Sequence, residues 1–165
     1  MLKSNLLVKI SGDGLKSKIV KEYLRESVKK YSITVITGGG SDINKIFKEK
    51  GYEIEFCPLG RITKSLEERQ EAKKILEKNQ AMLQDEYDSE GICVRVEIPF
   101  REIGTVSCPE NGDVMVLSAY LGFDKIVIFT KQENVEAKRQ WLKKVAEAFC
   151  HIEKGELDKI EVRGF

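Results

Sequence analysis

Three short segments carry residue types that together could hold an oxyanion. Lys9-Ile10-Ser11-Gly12-Asp13-Gly14 ends an apolar run, Thr37-Gly38-Gly39-Gly40-Ser41 ends a β-branched one, and Asn111-Gly112-Asp113 opens a short helical pattern. Glycines let backbone N–H groups approach an anion with no side chain in the way, and a helix N-terminus adds a partial positive charge. Lys9 lies inside its apolar run, where an ammonium is costly unless it emerges near the strand end or meets an anion. Two readings of it stand: neutralising a bound phosphoryl group, or snorkelling to water from an edge strand. Arg61 likewise reads either as a fork for a carboxylate or phosphate or as an ordinary surface arginine before a helix. Asp113 reads as an N-cap of the short helix. His151 has no visible partner and receives no catalytic role.

The surrounding pattern supplies elements to position these groups. Leu6-Leu7-Val8-Lys9-Ile10 reads as a buried strand feeding a glycine turn, and Leu15, Ile19, Val20, Tyr23, Leu24, Val28 and Tyr31 recur at helical spacing after it. Ile33-Thr34-Val35-Ile36-Thr37 is a second strand, followed by a helix that Ser41 or Asp42 can cap and Gly51 ends. Two successive strand–glycine–helix units predict a parallel sheet covered by helices. Ser65-Leu66-Glu67-Glu68 is a capping box before a long charged amphipathic helix, with a break expected near Asn79. Ile92 to Ile98 alternates like a half-exposed edge strand stopped by Pro99. A short helix from Asn111-Gly112-Asp113, a strand at Lys125 to Thr130, a helix carrying Val135, Leu142, Val145, Ala146 and Phe149, and a closing strand at Ile160-Glu161-Val162 complete the chain. In an open α/β sheet ligands bind beyond the carboxyl ends of the strands, which is where the glycine segments fall.

These motifs, taken in order, resemble the amino acid kinase superfamily of uridylate, acetylglutamate, aspartate and carbamate kinases. Lys9-Ile10-Ser11-Gly12-Asp13-Gly14-Leu15 is similar to a K-L-S-G-E-x-L opening, and Thr37-Gly38-Gly39-Gly40 to the second glycine loop. Gly60-Arg61-Ile62-Thr63 is similar to G-L-R-V-T with one residue fewer. Asn111-Gly112-Asp113 through Lys125-Ile126-Val127-Ile128-Phe129-Thr130 follows N-A-D, helix and A-D-K-L-I-x-L-T-D. The resemblance covers roughly residues 5 to 131. It implies a three-layer αβα sandwich with a mainly parallel sheet, carbamate-kinase-like and truncated, over a single domain 1–165. It implies a small-molecule phosphotransferase using ATP with Mg²⁺, acting on a small carboxylate or phosphate compound, with Lys9 and Asp113 catalytic and Asp113 holding lysines in place. Ser11, Gly12, Gly14, Gly38, Gly39, Gly40, Arg61 and Asn111 would bind substrate or phosphate, and the apolar stripe of the long charged helix, itself otherwise a solvated face, would make a homodimer. Lys131 replaces the family's acid after Thr130, and most of the nucleotide lobe, which in the family contributes a second lysine, is missing. The alternative is therefore a non-catalytic anion- or nucleotide-binding or regulatory domain on the same fold.

Composition agrees with a globular domain. The chain has 165 residues, 41% hydrophobic and 33% charged, and its 28 basic side chains nearly cancel 27 acidic ones, so no global field favours nucleic acid or an anionic membrane. The longest apolar runs fall far short of the roughly 18 residues that cross a bilayer, and Met1-Leu2-Lys3-Ser4 begins no secretory signal, which leads to a cytoplasmic expectation. Cys57, Cys93, Cys108 and Cys150 lack zinc spacing and are expected as reduced thiols, mostly buried, with no structural metal. Abundant Lys, Glu and Ile hint at a thermophile.

Overall fold

Ser4–Ile10 forms β1, the middle strand of a five-stranded sheet in the computed structural model, which describes residues 3–57, 60–153 and 157–165. Met1 and Leu2 of the opening segment lie outside the described residues. In chain order, β1 is followed by α1 (Lys18–Ser27), β2 (Tyr31–Thr37), α2 (Gly40–Lys50), β3 (Glu55–Cys57) and β4 (Gly60–Ile62). Next come α3 (Leu66–Ser89), β5 (Val94–Glu97), β6 (Phe100–Ile103), β7 (Val106–Pro109) and α4 (Gly112–Ser118). The chain then runs through β8 (Lys125–Thr130), α5 (Val135–Ala146) and β9 (Ile160–Gly164).

The sheet order is β5-β2-β1-β8-β9, and every neighbouring pair is parallel, with Lys9 in register between Ile36 of β2 and Ile128 of β8. Because all five strands run the same way, their carboxyl ends and the loops after them gather along one edge. The expected parallel α/β sandwich is the fold observed.

Strand alternation sends successive side chains to opposite faces. Leu6, Val8 and Ile10 join Val20 and Leu24 of α1 and Leu83 and Tyr87 of α3 in one core. Leu7 faces the other way, into a core with Val116 and Leu117 of α4 and Leu142 and Ala146 of α5. Lys9 shares the parity of Leu7, so it rises toward α4 and α5. A third cluster of Ile43, Phe47, Ala72 and Leu76 locks α2 onto the first half of α3.

Several local expectations need correction. The break near Asn79 does not occur: α3 runs unbroken through it, and the buried Asn79 amide donates to Gly38 O at 3.3 Å, so a polar residue on the packed face finds its partner there. The N-cap of α2 is Gly39, not Ser41 or Asp42, and Ser41 Oγ donates instead to Asp13 Oδ1 at 2.9 Å. Asn111, not Asp113, caps α4, its Oδ1 accepting from Asp113 N at 2.9 Å. The capping box holds in half: Ser65 Oγ accepts from Glu68 N at 3.1 Å, but Glu68 reaches back to Lys64 N. Cys57, Cys93 and Cys150 are exposed and Cys108 is intermediate, because they lie on short hairpins, an edge and a helix end rather than inside the sheet. His151 has a partner after all, its Nε2 lying 2.9 Å from Leu117 O. The hairpins β3–β4 and β6–β7 were not expected from the sequence. No helix among the described residues is long and apolar enough to cross a membrane.

Candidate functional site

The floor of the carboxyl edge is built around one carboxylate. Asp113 Oδ1 faces Lys9 Nζ at 3.1 Å, and its Oδ2 accepts from Lys138 Nζ at 2.6 Å. The Asp113 side chain is 4% exposed. Burial pulls its carboxyl pKa up most strongly, but the charges of Lys9 and Lys138 and their hydrogen bonds outweigh that pull and hold it below its ordinary value. Three distant elements meet here: Lys9 from the carboxyl end of β1, Asp113 from the start of α4 and Lys138 from α5, with the Trp141 ring 5.2 Å from the Lys138 ammonium. Gly112 packs closely beside this pair, a Cβ there lying 3.3 Å from Lys9 Cε.

The glycine loops form the next layer. A Cβ on Gly38 would lie 2.6 Å from Gly12 N and 2.9 Å from Ile10 O, so the two loops are in mutual contact and only glycine fits between them. Gly39 rests on Leu76, whose Cδ2 would be 2.9 Å from an added Cβ, while Gly40 faces open space. Ser11 Oγ donates to Phe129 O at 2.9 Å, tying the first loop to the end of β8. Asp13, further out, bonds Lys131 (3.0 Å) and Ser41, and both partners lower its pKa.

Arg61 is neither a lone nor a fully exposed arginine. Its guanidinium carbon lies 5.0 Å from the Phe47 ring centre and 4.7 Å from that of Phe56, and Nη2 donates to Asn44 Oδ1 at 2.6 Å and Gly40 O at 3.3 Å. Nη1 is buried without a hydrogen-bond partner, and burial pushes the pKa of the group down from its usual value. Gly60, at φ +139°, sits so close to Asn111 N that a Cβ would meet it at 2.8 Å, which seats the β3–β4 hairpin against the α4 loop.

The result is a cleft of about 380 Å³ lined by nine of the ten residues expected from the sequence: Lys9, Ser11, Gly12, Gly38, Gly39, Gly40, Arg61, Asn111 and Asp113. Gly14 is the exception. It turns away, and a Cβ there would strike the Phe165 ring at 2.5 Å, so its glycine serves packing rather than a ligand. Missed from sequence were Lys138, Phe56 and the two prolines Pro99 and Pro109 that also line the cleft. Lys138 had a signal: it falls three residues after Val135 and four before Leu142, interrupting the apolar stripe of α5 as Lys9 interrupts its strand. The two carboxylates lining the cleft are committed, Asp113 to its lysines and Glu110 to Arg101 Nη2 at 2.7 Å. Among the described residues no group of three His, Cys, Asp or Glu is placed to hold a metal ion. The arrangement therefore suits an oxyanion and offers a hard divalent cation no free carboxylate.

No protein-family model and no curated protein sequence matches the chain. Solved structures do. The chain is similar to smu.665 from Streptococcus mutans UA159, with 15% identity and a TM-score of 0.57 over 76% of this chain and 71% of that one. It is also similar to N-acetylglutamate synthase from Neisseria gonorrhoeae complexed with coenzyme A and N-acetyl-glutamate, at 12% identity and a TM-score of 0.53 over 99% of this chain and 55% of that one. The same synthase complexed with coenzyme A and L-arginine gives 13%, 0.55, 98% and 56%. The chain thus spans little more than half the length of the synthase chains, and what it shares with these structures, at such low identity, is the α/β fold.

Proposed function

We propose that this chain holds a small molecule by an oxyanion, a phosphoryl or carboxylate group, at the carboxyl ends of β1, β2 and β8. One observation carries the reading: two ammonium groups, Lys9 and Lys138, share a single buried carboxylate at the floor of a cleft. Two positive charges against one negative leave a net positive charge where water is partly excluded, and an anion there restores the balance. The glycine loops bring backbone N–H groups to the same place, and the Arg61 guanidinium lines it. The ligands named for the synthases, coenzyme A, N-acetyl-glutamate and L-arginine, all carry carboxylate or phosphate groups, which supports the same chemistry for this fold.

The second reading is group transfer between small molecules, of the amino acid kinase type with ATP and Mg²⁺ as the donor. Its support is the same pair of lysines on one acid, the arrangement that the sequence resemblance implies for phosphoryl transfer. Against it stand the commitment of both cleft carboxylates to basic side chains and the use of Lys131, where the resemblance has an acid, to pair Asp13. Binding without transfer is the reading the geometry favours. Calorimetry with inorganic phosphate, then with ATP and Mg²⁺, decides between them. Phosphate binding that disappears in Lys9→Met and Lys138→Met, without ATP turnover, is the expected result. Turnover would establish transfer, and no binding of either compound would overturn both readings.

The homodimer belongs here too. Leu66 and Met82 of α3 are 59% and 38% exposed, apolar positions that a second copy could cover. Sedimentation at micromolar concentration tests it, a monomer being the contrary outcome.

A further inference from the structure

Beyond the charged floor, the cleft has a second chemical character. Ile43 of α2, Leu76 of α3, Phe56 of β3, Pro99 and Pro109 line it without contributing a side-chain hydrogen-bonding group, and neither proline has an N–H. The two proline loops are tied together, Glu110 N donating to Pro99 O at 2.9 Å, so this wall is a formed surface. Ile43 and Leu76 are almost wholly buried, whereas Phe56 stands on the rim, its ring supported by the Arg61 guanidinium.

The polar side chains of the cleft bond largely to the protein itself. Ser11 and Thr37 spend their hydroxyls on Phe129 O and Gly38 O, Asn111 Oδ1 accepts from Asp113 N, and the Glu110 and Asp113 carboxylates serve Arg101 and the two lysines. The ammonium groups of Lys9 and Lys138 and the glycine loops are what the cleft offers an oxyanion.

From these observations we infer that the ligand is an oxyanion joined to a compact apolar body, such as an aromatic or short-chain alkyl phosphate or carboxylate. A cleft of about 380 Å³ has room for a ring or a short chain beside the anion. The inference rests on the oxyanion reading above and adds to it the half of the ligand that the lysines do not touch.

Three probes separate the two ideas in one calorimetric series: inorganic phosphate, glycerol 3-phosphate and phenyl phosphate. Phenyl phosphate is expected to bind at least tenfold more tightly than either of the others, and Phe56→Ser is expected to cut the ratio of phenyl phosphate to inorganic phosphate affinity at least threefold. Equal affinities for phenyl and glycerol phosphate, or a ratio untouched by Phe56→Ser, overturn the apolar-body inference while Lys9-dependent phosphate binding leaves the oxyanion reading intact. If no phosphate binds, or binding is unaltered in Lys9→Met, the oxyanion reading fails and this inference fails with it.

Discussion

Asp113 and Asp13 sit near the same edge of the sheet, each between a lysine and a second partner, yet they are different devices. Asp113 is 4% exposed and receives two ammonium groups from β1 and α5, whereas Asp13 is 42% exposed and receives Lys131 and a hydroxyl. In the first, water is replaced by fixed charges, so the removal of any one leaves the others stranded in a poorly solvated place. In the second, water stands ready to replace whichever partner is lost. The same pair of residue types is thus a buried charge cluster in one place and a loop fastening in the other, and burial makes the difference.

Asp113→Ala should break this contrast most violently. With the carboxylate gone, Lys9 and Lys138 face each other uncompensated, and the loss expected in urea unfolding is about 3–5 kcal/mol. Acid titration of the wild type gives a gentler version. Because the folded-state pKa of Asp113 is depressed, its contribution is complete above the unfolded carboxyl value of about 3.9 and is lost as the pH falls through the folded value. The stability advantage of the wild type over Asp113→Asn should therefore be flat above about pH 4 and shrink only below it. A difference that instead fades between pH 5 and 7 would show that another group governs the site.

Lys9→Met comes next. Loss of a charge-assisted hydrogen bond of about 1.5–3 kcal/mol should weaken phosphate binding by about tenfold to a hundredfold. From sequence, deleting an unpaired strand lysine would scarcely affect folding, but Asp113 Oδ1 depends on it, so stability should fall as well. Unchanged phosphate affinity would make Lys9 purely structural. Gly38→Ala tests the joint between the two glycine loops, where the new methyl meets Gly12 N and Ile10 O, backbone atoms that cannot rotate aside. An overpacking cost of about 1–3 kcal/mol is expected, and a thermal midpoint equal to that of the wild type would contradict the contact. Smallest of all is Asp13→Asn, which should leave the melting temperature where it is, since an exposed pair contributes little. A clear drop would mean that the outer cluster is as structural as the inner one.

Much of the floor could be read from residue order. Lys9 inside an apolar strand, glycines at the ends of two successive strands and Asp113 at the start of a helix are local patterns, and strand-end placement follows from the parallel topology that the alternation of strands and helices imposes. Lys138 was legible only in outline, as a lysine on the apolar stripe of α5, because periodicity shows that a side chain faces inward without showing what it meets. The hairpins carrying Phe56 and the two prolines escaped because strands of three or four residues carry too few alternations to register.

By itself, then, the sequence determined the sheet, the faces of its helices and the chemical inventory of the carboxyl edge, since hydrophobic period and glycine placement act over a few residues. Only the tertiary structure decided that Asp113 is shared by lysines 104 positions before and 25 positions after it, that Gly14 belongs to Phe165 rather than to a ligand, and that Arg61 is held between two aromatic rings with a donor unused. Those outcomes depend on which surfaces meet when distant segments pack, and on how much water that packing removes from a charge, which no local pattern of residues encodes.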